Sequence, residues 1–176
     1  MLQLAVRVFA SVLLLVLGTG VAAAQPISDW ERAQQEKSWK EGKVVLPPYP
    51  KPGNLIGFEV SAAADFKFFI DSASLSVGDD GVVRYTVVAR SASGVDNVSY
   101  EGIHCRDGTY KVYAFGQSNG TWRRNPLAQW RPVEAGSVMP WHQVLRNNYF
   151  CPQNLRIRDA AEGLAALKRG GAMPRY

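Results

Sequence analysis

Between Gly57 and Trp130 apolar and polar residues alternate with a period of two, and turn-forming residues break the alternation at short intervals. A period of two sends successive side chains to opposite faces, so the stretch reads as antiparallel strands. Phe66, Phe68 and Ile70 alternate with Lys67, Phe69 and Asp71. After Leu75 to Gly78, Asp79-Asp80-Gly81 turns the chain into Val83, Tyr85, Val87 and Ala89, which alternate with Arg84, Thr86, Val88 and Arg90. This predicts a hairpin with one face toward water. A longer loop, Ser91 to Asp96, leads to a strand over Asn97 to Cys105; Asp107-Gly108 and Asn119-Gly120 then mark tight turns before Tyr110 to Phe115 and Thr121 to Arg124. Short connections pair neighbours in sequence, which predicts a meander of four to six antiparallel strands.

Past Trp130 the period becomes helical. Ser137 can cap a helix with Pro140 in its first turn, and Trp141, Val144, Leu145 and Tyr149 fall on one face before Cys151-Pro152 stops it. Asp159 and Glu162 have capping-box spacing for a second helix, Leu164 and Leu167 give it an apolar side, and Lys168-Arg169-Gly170-Gly171 ends it. Both stripes must be buried, and the sheet offers the only large surface. The predicted class is therefore α+β, with two C-terminal helices packed on one face of the meander.

The front of the chain carries a different signal. One positive charge, Arg7, precedes an apolar run from Val8 to Leu17, followed by Gly18, Gly20 and Ala22-Ala23-Ala24-Gln25. The run is shorter than the ~20 residues a membrane span needs. Small residues at 22 and 24 suit signal peptidase, so residues 1–24 read as a signal peptide cleaved before Gln25, the alternative being an uncleaved anchor. No later stretch is long and apolar enough to span a bilayer. Cleavage removes Arg7 and lowers the formal charge of +5 by one, an excess too small to define a partner. Residues 25–53 read as a short helix, with Ser28 and Glu31 at capping-box spacing, and a proline-rich arm, Leu46-Pro47-Pro48-Tyr49-Pro50-Lys51-Pro52-Gly53. A single globular domain is expected over 54–170, with a tail at 171–176. The arm reads as an extended connector; a polyproline ligand for another module is the alternative.

Two cysteines, Cys105 and Cys151, remain in the exported chain. In an oxidising compartment an even pair is most simply a disulfide, and closing this loop contributes about 4 kcal/mol in the chain-entropy account. The competing reading is a reduced, nucleophilic thiol, but no Cys-x-x-Cys is present to support thiol–disulfide exchange.

No set of side chains amounts to a catalytic or cofactor site. His104 and His142 stand alone in sequence, and a zinc site from them would need Cys105 and Cys151, which the disulfide consumes. They read as satisfied histidines at a strand edge and on a helix surface, and no metal or cofactor is expected. There is no Gly-x-Ser-x-Gly and no glycine-rich phosphate loop. Of the carboxylates in the strand region, Asp71 and Glu101 lie next to or within strands. Their simpler reading is a solvated face or a pair with Arg84 or Arg90; their functional reading is acid–base work with His104 in a hydrolase acting on the cell wall or envelope. Basic charge gathers at Arg123-Arg124, Arg131, Arg146, Arg156 and Arg158, interleaved with Trp122, Trp130 and Trp141. Trp122, Arg123, Arg124, Trp130 and Arg131 are the candidate binding surface, suited to an anionic envelope component or another envelope protein. Export and the lack of any nucleic-acid module exclude nucleic acid as the expected partner.

The runs Phe69-Ile70-Asp71, Ser74 to Gly78, Gly81 to Thr86, Asn97-Val98-Ser99-Tyr100-Glu101-Gly102-Ile103 with Cys105, and Phe150-Cys151-Pro152 resemble the cryptic neisserial protein (CNP1-like) family of small exported bacterial proteins of unknown function. The likeness runs from about Asn54 to Gly170, and Tyr-Glu-Gly-Ile-x-Cys is its most specific part. It implies a bacterial envelope protein with two paired cysteines and brings no catalytic residue. The expectation is thus a periplasmic, non-catalytic binding or assembly module, with the envelope hydrolase as its alternative.

Overall fold

The structure is a computed structural model that describes residues 28, 30, 39–61, 65–135 and 139–171. The expected signal peptide, Glu31 of the first capping box and Ser137 lie outside the described residues. The sheet with its covering layers belongs to one compact unit, residues 39–176.

Eight strands build one antiparallel sheet. These are β1 (Leu55–Phe58), β2 (Phe66–Asp71), β3 (Ser76–Val77), β4 (Val82–Ser91), β5 (Asp96–His104), β6 (Thr109–Gly116), β7 (Trp122–Arg124) and β8 (Arg131–Pro132). The order is β1-β2-β4-β5-β6-β7; β3 lies beside the first half of β4, and β8 beside the first half of β6. The meander is as expected, with eight strands where four to six were. The excess comes from two-residue strands, β3 and β8, which are too short to show a period. Where β4 passes from β3 to β2 the ladder is interrupted at Thr86, whose N–H donates to Ser74 Oγ instead (2.9 Å). Ser74 Oγ in turn donates to the Asp71 carbonyl, and the Asp71 carboxylate accepts from Ala73 N–H. Asp71 is therefore a buried turn-former.

Two helices cover one face. The first, α1 (Trp141–Val144), widens into a π-helical segment, Leu145–Phe150, in which the Cys151 N–H donates to the Arg146 carbonyl five residues back. Pro152, which has no N–H, follows immediately. The second, α2 (Ala160–Arg169), starts on Asp159, whose carboxylate accepts from Glu162 N–H, and ends on left-handed Gly170. Glu162 in turn accepts from Arg158 N–H, so the predicted capping pair is present and its return bond reaches back to Arg158. The helix comes so close to the sheet layer at Gly163 that a Cβ there would lie 2.7 Å from Ile157 Cδ1 and 2.8 Å from Leu75 Cδ2.

On this face Ile70, Val83, Tyr85, Val87 and Ile103 meet Leu145, Tyr149, Phe150 and Leu167 in one apolar core. Burial of each large apolar side chain contributes about 1.5–3 kcal/mol. Cys105, just past β5, and Cys151, just past the π segment, form a disulfide across a Cα separation of 5.4 Å. It joins the end of a central strand to the end of the first helical segment, as expected.

The other face is not wet. Arg84, Thr86 and Val88 are buried, which corrects the expected solvated side of the β4 hairpin. Residues 39–51 have no regular structure and lie across this face. Val44, Leu46 and Trp122 pack on Tyr100, Tyr113 and Ala114. Trp122 Nε1 donates to the Pro47 carbonyl, and Trp39 Nε1 to that of Asp80. Proline withholds backbone donors, so side chains of the sheet and arm make many of these bonds.

Candidate binding groove

The helical layer stops short of the far half of the sheet. Beyond Trp141 the first half of β5, the end of β4 and the face of β6 remain open as two adjoining hollows of about 220 and about 290 Å³. Val112, Phe115 and Met139 line both and join them into one groove. The inner hollow is floored by Val87, Ala89, Ser99 and Glu101; the outer one opens past Leu127 and Arg131 to solvent. Leu127 is 73% exposed. A preformed, mainly apolar concavity with a few polar groups is the usual form of a ligand site.

Glu101 is the polar floor, and it is only 1% exposed. Strand alternation puts it on the helix side, opposite Tyr85. Its Oε2 accepts from His142 Nε2 at 2.8 Å, Tyr85 OH at 3.1 Å and Trp141 Nε1 at 3.2 Å. Oε1 accepts from Ser99 Oγ at 2.6 Å. Burial pushes this carboxyl up, but the charge of His142 and the donors His142, Ser99 and Trp141 outweigh it and hold the group below its ordinary value. The same burial, with the adjacent carboxylate, pushes the Tyr85 hydroxyl well above its usual range. His142 is stacked on Tyr110 at 3.7 Å between centroids, and its Nδ1 is buried without a hydrogen-bond partner. Around the carboxylate the four donors form one hydrogen-bonded network. One oxygen, Oε1, keeps acceptor capacity beside Ser99, at the groove.

Several sequence expectations change here. Asp71 and Glu101 are both buried, not solvated, and neither pairs with Arg84 or Arg90, which bind Asp80 and Asp96. Glu101 lies on the helix side and His104 on the arm side, while the Asp71 carboxylate turns back on Ala73 N–H and His104 bonds Asp107, so the carboxylate–His104 set of the hydrolase alternative is not assembled. His142 is not on a helix surface but is buried against Glu101, and His104 is buried under Trp39 at 4.6 Å. The Glu101–His142 pair spans 41 residues, so no local spacing announces it. The lone signal was a carboxylate inside a strand otherwise destined for burial.

The candidate binding residues divide between faces. Trp122 and Trp130 are half-buried on the arm side; Trp122 meets Tyr49 at 5.3 Å and Trp130 meets Trp39 at 5.7 Å. Arg123, Arg124 and Arg131 are exposed. Arg123 pairs with Phe115 across strands and stands over its ring at 5.8 Å, while Arg131 pairs with Tyr110. Arg123 and Arg131 thus flank the groove on the helix side. Among the described residues no group of three or more His, Cys, Asp and Glu side chains could hold a metal ion. Nor, among them, is any helix long and apolar enough to cross a membrane.

Fold and groove together define a small disulfide-closed α+β domain with a helix layer over half of one sheet face and a strap over the other. The chain belongs to the CNP1-like family, whose profile matches residues 34–168. It is similar to cryptic neisserial protein 1 of Neisseria gonorrhoeae (strain ATCC 700825 / FA 1090), with 28% identity over 164 residues and 80% of each chain covered. No solved structure matches.

Proposed function

We propose that the chain is a non-catalytic binding or assembly module of the cell envelope, exported to the periplasm after cleavage between Ala24 and Gln25. The observation that carries this reading is the groove: a preformed apolar concavity beside β6, flanked by Arg123 and Arg131, with its one carboxylate already held by four donors. With three donors on Oε2 and one on Oε1, the carboxylate is fixed in place and only Oε1 can accept a further donor, which suits recognition better than turnover. Arginines at the mouth and Leu127, Val112 and Phe115 within favour a partner protein segment that is apolar with acidic flanks. A photocrosslinking residue at Leu127, in intact cells, should capture a discrete partner. Replacing Arg123, Arg124 and Arg131 with Ala should abolish that capture while the purified protein melts as before. Unchanged capture from the triple variant would remove the arginine-flanked groove as the interface. A mature mass that does not begin at Gln25 would refute the export step.

A further inference from the structure

At the opposite end of the β4–β5 pair, a second cleft of about 550 Å³ opens beside Cys105, between Trp39 of the arm and the loop Asn154, Leu155 and Arg156. One wall is His104, with Asp107 behind it. His104, the last residue of β5, is held through Nδ1 to Asp107 Oδ2 at 2.8 Å and clamped flat against Trp39. This leaves Nε2 on the cleft side. Gly81, at φ +81 in the β3–β4 turn, has no side chain to fill the space: a Cβ there would sit 3.7 Å from His104 Nε2 and 3.9 Å from Arg156 Nε. The imidazole nitrogen and the guanidinium therefore frame one gap.

The charges around that gap are unequal in their freedom. Arg156 is exposed and, among the described residues, has no carboxylate partner; its side chain donates one long hydrogen bond, 3.4 Å, to the Ile157 carbonyl. Arg106 is exposed at the rim and meets Asp107 only at 3.6 Å. Of the acids, Asp80 is taken by Arg84 and by the N–H groups of Gly42 and Val82, and Asp107 by His104. Asp79 lines the cleft, exposed at its edge. The segment that presents Arg156 is also unusual: Gln153 and Asn154, both non-glycine, stand in the left-handed region at φ 56 and 63, with Asn154 Oδ1 accepting from Arg146 at 2.7 Å. Such backbone persists where the surroundings hold it, and it concentrates at ligand sites.

We propose that this cleft is an anion site for a phosphomonoester, with Arg156 and Arg106 supplying charge and His104 a directed contact. Nε2 accepts the hydrogen of a P–OH group, or, once protonated, donates to a phosphate oxygen, so one proton is shared either way. Asp107 orients the ring, and Asp79 opposes the ligand. The site does not rest on the groove and can fail without touching it.

Glycerol phosphate titrated into the full mature protein, followed by the imidazole 15N resonances of His104 and His142, tests this directly. His104 should shift saturably and His142 should not. Arg156→Ala should weaken binding about tenfold or more, and Asp79→Asn should tighten it. A His104 resonance that stays still at millimolar glycerol phosphate overturns the site. So does binding that Arg156→Ala leaves unchanged. Because Arg156 and Asp79 are exposed, neither variant should prevent folding.

Discussion

The two faces of the sheet are covered by different kinds of chain. The helix side is closed by amphipathic elements whose apolar residues, Leu145, Tyr149, Phe150 and Leu167, interlock with Ile70, Tyr85 and Ile103. The arm side is closed by residues 39–51, with no regular structure, through scattered anchors: Trp39 on His104, Glu41 with Lys111 at 2.7 Å, and Trp122 on Tyr49 and Pro47. The first cover gains from area, which is cooperative and dry. The second depends on a few side-chain bonds, each worth a small net amount. Burial on the arm side therefore leans on the strap: Val44 and Leu46 pack on Tyr100 and Tyr113, and Glu41 faces Arg84 at 4.0 Å.

The strongest test of the contrast lies in the buried carboxylate of the helix side. Glu101→Ala would leave Tyr85, Ser99, Trp141 and His142 without their acceptor, and we expect a loss of about 3–5 kcal/mol in urea unfolding. A loss as small as that of a surface substitution would mean the network is not closed. Next in size, replacing Cys105 and Cys151 together by Ala should cost about 2–4 kcal/mol, mainly through the unfolded chain. Its effect should leave the groove's hydrogen-exchange pattern unchanged.

Trp39→Ala should cost about 1–2 kcal/mol through lost stacking and area. Its exchange signature should be one-sided, with faster exchange in residues 39–51 and unaltered protection at Tyr85 and Ile103. Uniform loss of protection would erase the distinction between the two covers. The smallest effect concerns Asp80, which ties the strap to the β4 turn. Burial raises its carboxyl, but the Arg84 hydrogen bond, the Gly42 and Val82 N–H groups and the Arg84 charge together lower it to about 2. A carboxyl depressed in the folded state stabilises above its ordinary value of 3.8 and loses that contribution as pH falls toward 2. Asp80→Asn should therefore flatten the fall in stability between about pH 4 and pH 2. An unchanged acid limb would show that the strap is not anchored there.

How far these features can be read from residues depends on their range. The capping pair Asp159–Glu162, the left-handed glycine turns and the Leu145–Tyr149 stripe are neighbours in sequence, and their geometry follows from propensity and period. The short strands β3 and β8 carry no readable period and exist because a neighbour offers an edge. Glu101 and His142 each suggested a polar surface, and their union is made only when α1 lands on β5. Trp122 and Trp130 looked like a binding surface beside their arginines, yet alternation along the edge sends them to the arm side while Arg123 and Arg131 flank the groove.

By itself the sequence determined the α+β class, the meander, the stop of the first helix at Cys151-Pro152, both ends of the second helix and the pairing of its only two cysteines, because each rests on local period, turn chemistry or a forced choice. Only the tertiary structure decided which polar residues are dry and what they face. Burial is a property of what lies on top, and here the covers come from chain segments dozens of residues away: the arm over Arg84, and α1 over Glu101.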